Sequence, residues 1–147
     1  MQRHFIQILI ILGLLIGFSS CSSKKNSGPI EPLTYDTFIE KVWDFKSQPD
    51  EFAGRNKKPC VIIFSSSQSE PCKKLQPIIE ALQKKHKDQV TFYSVDVEAE
   101  QALGNSFKID IVPTVMLFPK DGQPQMVQGL RSQTEYDKIV DQLVVNS

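Results

Sequence analysis

The chain has 147 residues, and its 17 lysines and arginines balance its 17 aspartates and glutamates. This balance gives no sign of the basic surface that nucleic-acid binding requires, and solvated helix ends explain the short lysine clusters. The sequence contains no internal repeat. We therefore expect one domain of ordinary size, without a nucleic-acid partner.

The N-terminal residues 1–20 have the order of features of a secretory signal peptide. A weakly basic start and an apolar run over residues 5–18 come before two serines and Cys21. The apolar run is too short for a transmembrane helix. A cysteine directly after two small residues resembles the bacterial lipoprotein signal, in which that cysteine is acylated and becomes the mature N-terminus. The alternative is an ordinary cleaved signal followed by an incidental cysteine.

Residues 21–32 are polar and rich in Ser, Lys, Gly and Pro, which predicts a flexible tether. Residues 33–147 are predicted to form the folded domain. Several acyl chains on Cys21 would anchor the protein stably to a membrane. Ser22 resembles the residue that follows the acylated cysteine in outer-membrane lipoproteins. We therefore expect a protein of the bacterial cell envelope, lipid-anchored in the outer membrane and facing the periplasm, with the leaflet left open.

The first predicted elements of the domain are a helix, a strand and a second helix. Thr34 caps a helix over residues 35–45, in which apolar residues recur at helical spacing. Residues 60–65 are almost all apolar, which predicts a central strand buried on both faces. Residues 72–87 follow as a helix. Pro77 should kink this helix because its ring excludes one backbone hydrogen bond.

The second half of the domain predicts further strands and helices. They are a strand over residues 90–97, a helix over 98–107, strands over 114–118 and 125–128, and a closing helix over 134–144. Turn residues between the last two strands predict a hairpin, so these strands are antiparallel. Strands that alternate with helices, followed by a hairpin and a helix, indicate an α/β sandwich with a mixed sheet.

Cys60 and Cys72 are the cysteines of the predicted domain. Cys60 begins the predicted strand over residues 60–65, and Cys72 lies beyond the far end of that strand. The two ends of the strand are roughly 16 Å apart at ~3.3 Å per residue, whereas a disulfide needs Cα atoms within ~7 Å. We therefore expect Cys60 to be an unpaired, buried, small apolar residue. His86 is expected to be solvated at the end of a lysine-rich helix, roughly 20 Å from Cys72. No Cys–His pair or metal cluster follows, and we predict no metal and no cofactor.

The stretch Ser69-Glu70-Pro71-Cys72, between the buried strand and the helix, resembles the active site of the thioredoxin superfamily, in which a strand is followed by Cys-x-Pro-Cys. Further positions match the family in order and spacing: Phe64, Pro77, Val95, Asp96, Val97, Ile111, Val112, Pro113, Thr114, Asp121, Gly122 and Gly129. The resemblance implies a thioredoxin-like three-layer α/β/α sandwich, with a mixed, mostly four-stranded sheet and a C-terminal hairpin plus helix. It also implies a cis peptide bond before Pro113, opposite Cys72.

Four departures from the family pattern concern this one site. Ser69 replaces the first cysteine, and residues 65–68 replace the usual aromatic-rich lead-in. Ile63 lies where many thioredoxins have a buried aspartate, and Ser94 lies where a lysine is common. Dithiol chemistry needs a nucleophile and a resolving thiol close together, so these changes argue against an efficient dithiol reductase.

Cys72 remains the candidate nucleophile of the site. Its place at a helix N-terminus favours a thiolate, and Ser69 is the candidate hydrogen-bond donor to that thiolate. Pro71, Val112 and Pro113 are expected to line a groove for an extended substrate segment. These features imply thiol–disulfide exchange through a single cysteine, with protein or peptide thiols and disulfides as partners, and at most a monothiol oxidoreductase.

Two alternatives stand beside this interpretation. In the first, Cys72 is an inert, half-buried thiol and the groove belongs to a redox-inactive module that binds a peptide or protein. The second is a peroxidase, because peroxiredoxins also place Ser or Thr three residues before the reactive cysteine. Their motif has a proline where this chain has Ser65, and neither Arg55 nor Arg131 matches their arginine. The oligomeric state is left open.

Overall fold

The computed structural model describes residues 30–49, 52 and 54–147. Within these ranges the elements are β1 (Glu31–Pro32), α1 (Tyr35–Lys41), β2 (Cys60–Ser65), α2 (Glu70–His86), β3 (Thr91–Asp96), α3 (Gln101–Ser106), β4 (Thr114–Phe118), β5 (Gln125–Gln128) and α4 (Gln133–Val145). The predicted signal peptide, Cys21 and residues 22–29 of the tether lie outside the described residues. None of the helices in the described ranges combines the length and apolar character needed to cross a bilayer.

The strands form one mixed sheet in the order β1-β3-β2-β4-β5. The central strand β2 is parallel to β3 and antiparallel to β4, and β4 and β5 form the antiparallel hairpin predicted from the turn residues. The fifth strand, β1, was not predicted. It pairs in parallel with β3 only at Glu31 and Pro32, and two residues are too few to show strand periodicity.

Apolar side chains cover both faces of the sheet, which confirms the predicted three-layer sandwich. Val61 and Ile63 of β2 lie in one core with the inner faces of α2 and α4. Ile62 and Phe64 lie in the other core with residues of α1 and α3. A strand buried on both faces has neighbours above and below, and burial of this kind is the main favourable contribution to folding.

The first helix is shorter than predicted. Thr34 caps it as expected, because its side chain accepts the backbone N–H of Thr37, but the helix ends at Lys41 and not at residue 45. Beyond the end, Trp43 and Phe45 pack edge to face with ring centroids 5.9 Å apart. Phe45 also packs against Phe107 at 5.2 Å. Tertiary packing of these rings therefore outweighs the helical spacing of the sequence.

His86 is buried, with 4% of its surface exposed, so the prediction of a solvated histidine was wrong. Its Nε2 atom lies 3.4 Å from Oδ1 of Asp141. The adjacent Lys85 donates to Asp137 at 3.0 Å and to Asp141 at 3.3 Å. The last turn of α2 therefore packs against α4, and this contact removes His86 from water although its sequence neighbours are lysines.

The two cysteines of the domain are free thiols. Cys60 is 1% exposed, which confirms that it is a buried core residue. Desolvation raises the pKa of its thiol to about 12, and the hydrogen bond that the Asn56 amide donates to the sulfur opposes this shift. Cys60 is therefore a protonated, unreactive thiol at neutral pH.

Candidate functional site

The candidate site begins where β2 ends and α2 starts. Ser69 is the N-cap of α2, and Pro71 lies in the first turn, where its missing N–H has no helical acceptor to lose. Cys72 follows Pro71 and is 8% exposed. The Ser69 side chain makes no cap hydrogen bond. Its role as a donor to Cys72 therefore stays a prediction.

A hydrogen-bond network holds the loop between β2 and α2. Ser66 is buried, and its hydroxyl donates to the carboxylate of Glu98. The same hydroxyl accepts the backbone N–H of Gln68 at 3.1 Å. The backbone N–H of Ser69 donates to the Ser66 carbonyl at 3.2 Å. We did not predict this role for Ser66 and Glu98, because the contact joins two loops that are 32 residues apart.

The peptide bond between Val112 and Pro113 is cis, as predicted. Pro113 directly precedes β4, whose first residue Thr114 pairs with Phe64 near the end of β2. The end of β2 and the start of β4 therefore meet at the same edge of the sheet. This register places Pro113 on the side of the fold where α2 begins at Ser69.

Hydrogen bonds fix the segment around Pro113. Its carbonyl accepts the backbone N–H of Gly129 at 2.8 Å. The Gly129 carbonyl in turn accepts the hydroxyl of Tyr136 at 3.1 Å. Gly129 has a φ of +77°, in the left-handed region that glycine enters without a steric penalty. Ile111 and Leu130 flank this segment with exposed side chains, so an apolar surface surrounds the buried proline.

Two of the departures found in the sequence are neighbours in the structure. Ile63 of β2 pairs with Ser94 of β3, and both side chains lie on the sheet face that α2 covers. Neither side chain ionises. At this pair of positions the chain therefore has no group that could accept or release a proton beside Cys72.

Cys72 also lines a cavity of about 640 Å³ between α2 and the strands β2 and β3. Ile63, Ser66 and Ser94 contribute to the same lining, whereas Pro113 does not. The mostly buried thiol is thus next to an open space on the α2 side of the sheet. In the described ranges no group of three His, Cys, Asp or Glu side chains has the arrangement of a metal site.

Comparisons with known proteins agree with this architecture. The family model for thioredoxin matches residues 40–142. The thioredoxin of Borreliella burgdorferi is 33% identical over 108 residues, which are 74% of this chain and 92% of the relative. Thioredoxin H5 of Arabidopsis thaliana is 34% identical over 82 residues, which are 56% of this chain and 65% of that protein. Chloroplastic thioredoxin Y of Oryza sativa subsp. japonica is 26% identical over 100 residues and is covered over 59% of its length.

The strand order, the cis bond before Pro113 and the helix with Pro71 and Cys72 in its first turn define a protein with the thioredoxin fold. The crystal structure of chloroplastic thioredoxin z has the same fold, with a TM-score of 0.64 at 19% identity, and the match covers 78% of this chain and 93% of that one. Since the family model matches most of the described domain, the chain belongs to the thioredoxin family.

Proposed function

We propose that this thioredoxin-family protein performs thiol–disulfide exchange through one cysteine, Cys72. The observation that carries the proposal is the position of Cys72, which lies in the first turn of α2 and lines an open cavity. A helix N-terminus offers unpaired backbone N–H groups and the positive end of the helix dipole to negative charge. A thiolate is the reactive form of cysteine in disulfide exchange.

The exchange proceeds in two displacements that balance. The Cys72 thiolate attacks one sulfur of a substrate disulfide, forms a mixed disulfide with it and releases the other sulfur as a thiolate. Ser69 has no sulfur to attack the mixed disulfide, and Cys60 is buried. An external low-molecular-weight thiol therefore attacks next, takes over the substrate sulfur as a disulfide and returns Cys72 as a thiolate.

The proposed substrate surface is the apolar segment around Pro113. Val112 is half-buried, and Ile111 and Leu130 are exposed on either side of the proline. An extended peptide can pair with an irregular backbone edge of this kind as an added strand, with its side chains on the apolar surface. Pro71 and Val112 would then lie beside the substrate segment, and protein or peptide disulfides are the proposed substrates.

The proposal includes a lipid anchor at Cys21 and a place in the bacterial cell envelope, in the outer membrane and facing the periplasm. It is supported by the basic start, the apolar run and the small residues before Cys21. Growth of a bacterial host with an alkyne-labelled fatty acid should label the wild-type chain. The Cys21→Ala variant should lose the label and leave the membrane fraction, and equal labelling of both would refute the anchor.

The exchange is tested on the folded Cys60→Ala variant, in which Cys72 is the remaining cysteine of residues 33–147. The reagents are glutathione disulfide and, separately, a maleimide. Mass spectrometry should find one mixed disulfide at Cys72, and a low-molecular-weight thiol should remove it. The Cys72→Ser variant in the same background is the control for reaction elsewhere. If Cys72 is modified only after denaturation, the proposed exchange is wrong.

A second candidate function is a binding module without redox turnover. It is favoured by the replacement of the first cysteine with Ser69 and by the 8% exposure of Cys72. The Cys72→Ser variant separates the two functions, because a module would keep its partner and an exchange protein would lose activity. The Ser69→Cys variant gives a further test. If it reduces insulin disulfides and the wild type does not, the surface around Pro113 accepts protein disulfides.

A further inference from the structure

We propose that the cavity beside α2 is a binding site for a fatty acid, that is, an acyl chain with a carboxylate head. We call this cavity the α2 groove. It is bounded by α2 on one side and by β2, β3 and Ile30 on the other. The proposed ligand places its carboxylate at Lys84 and Lys87 and its chain along the apolar floor toward Cys72. This function is separate from thiol–disulfide exchange.

The size and floor of the α2 groove suit an acyl chain. Its volume of about 640 Å³ lies within the range of about 300–1,000 Å³ that small-molecule sites occupy. Ile63, Leu75 and Ile79 are buried side chains that form its floor. Contact with this floor would remove the ligand's methylene groups from water, at about 0.8 kcal/mol per buried methylene.

The small side chain of Ser94 helps to keep the groove open. It lies on β3 opposite Ile63, on the sheet face that α2 covers, and it lines the cavity. A large residue at this position would project into the space between the sheet and α2. A large side chain at residue 94 should therefore narrow the groove while the three floor residues keep their identity.

The charged side chains along the α2 groove favour an anion at the end where Lys84 and Lys87 lie. Lys84 and Lys87 line the groove, and within the described part of the chain they have no ion pair. Lys84 lies in the last turn of α2 and Lys87 is the C-cap residue three positions on, so the two share a helix face. At the other end Asp96 would repel a carboxylate, and Lys73 is already paired with Glu70 at 2.6 Å.

The distance between the two ends fits an extended chain. Cys72 and Lys84 are separated by about 18 Å at a rise of 1.5 Å per helical residue. Between them the lining carboxylate of Glu80 accepts a hydrogen bond from the Gln76 amide at 3.2 Å. An acyl chain with its carboxylate at Lys84 and Lys87 thus fills the α2 groove up to the thiol. The reactivity of Cys72 then reports whether the groove is occupied.

The test uses the purified full-length chain and dansyl-labelled undecanoic acid, with dodecanoate as the competitor. We expect saturable binding at one site per chain, and dodecanol should compete more weakly than dodecanoate because it has no charge. Saturating dodecanoate should also slow the alkylation of Cys72 severalfold. The binding titration contains no disulfide or thiol reagent, so a failure of the proposed exchange chemistry would not affect this result.

Two variants test the geometry. The double variant Lys84→Ala with Lys87→Ala should raise the dissociation constant about tenfold, as expected when charge-assisted hydrogen bonds are lost. Its matched control, Lys74→Ala with Lys138→Ala, removes two lysines that do not line the groove and should have no effect. Ser94→Phe should abolish binding, with its circular dichroism spectrum as the check of folding.

Several results would overturn the proposal. They are the absence of saturable binding, equal weakening by the two double lysine variants, and competition by dodecanol as strong as that by dodecanoate. Unchanged binding by a folded Ser94→Phe variant would also overturn it. So would a concentration-dependent dimer that Ser94→Phe disrupts, because a second copy of the chain would then be the occupant of the groove.

Discussion

At alkaline pH the buried thiol of Cys60 should lower the free energy of unfolding. Cys60 begins β2 and is 1% exposed, and desolvation raises the pKa of its thiol to about 12. In the unfolded chain a cysteine has a pKa of about 8.5. The folded state therefore holds this proton more tightly than the unfolded state does. The stabilisation is complete below about pH 8.5 and is lost as the pH rises toward 12.

The size of the effect follows from these two values. Between pH 8 and pH 10 the unfolded chain releases the Cys60 proton and the folded chain keeps it. Integration of the proton linkage over this interval gives a loss of about 2 kcal/mol. The hydrogen bond from Asn56 to the sulfur, at 3.4 Å, lowers the thiol pKa and works against this loss, but desolvation is the larger effect.

The assay is urea denaturation of the wild type and of Cys60→Ala at pH 8 and at pH 10. The variant should be less stable than the wild type at pH 8 because the substitution leaves a small cavity in the core. That difference should shrink by about 2 kcal/mol at pH 10, because only the wild type loses the thiol contribution. Tyr136, whose pKa burial raises, titrates in both proteins. A difference that stays constant between the two pH values would refute the reasoning.

Three further substitutions test the packing and the hydrogen bonds by urea denaturation at neutral pH. Ser132→Ala removes the hydroxyl that caps α4 and should cost about 1 kcal/mol. The control Ser106→Ala, whose hydroxyl bonds within α3, should cost less, so equal losses would contradict the capping role. Leu82→Ala opens a cavity in the core and should cost about 2–5 kcal/mol, whereas Val145→Ala, at an exposed site, should stay within about 0.5 kcal/mol. Tyr136→Phe should cost about 1 kcal/mol because a buried hydrogen bond is lost, and an unchanged midpoint would show that this bond contributes nothing.

The strands β2, β4 and β5 have the predicted bounds because their sequence signals are local. The apolar run of β2 and the turn residues between β4 and β5 are visible without any tertiary contact. The end of α1 and the burial of His86 were predicted wrongly for the opposite reason. Each depends on a partner that is distant in the sequence, which is Phe107 for the aromatic cluster and α4 for the histidine.

The candidate site shows the same difference between features with a local sequence signal and features that depend on distant residues. The position of Cys72 near the start of α2 and the cis bond before Pro113 were predicted because the resemblance is carried by residues next to them in the chain. The bond between Ser66 and Glu98 and the α2 groove were not predicted. The bond joins loops after two different strands, and the groove is lined by residues from β2, α2 and β3. Neither loop contacts nor cavity volumes leave a periodic trace in a single sequence.

The two outer strands of the sheet bear on self-association of the folded protein. β1 contributes only Glu31 and Pro32, and a proline has no backbone N–H to offer a neighbouring chain. β5 has four residues, with a glutamine at each end. Such short edge strands are poor templates for cross-β stacking. A high local density of these domains on a surface would therefore not readily lead to fibril growth from their sheets.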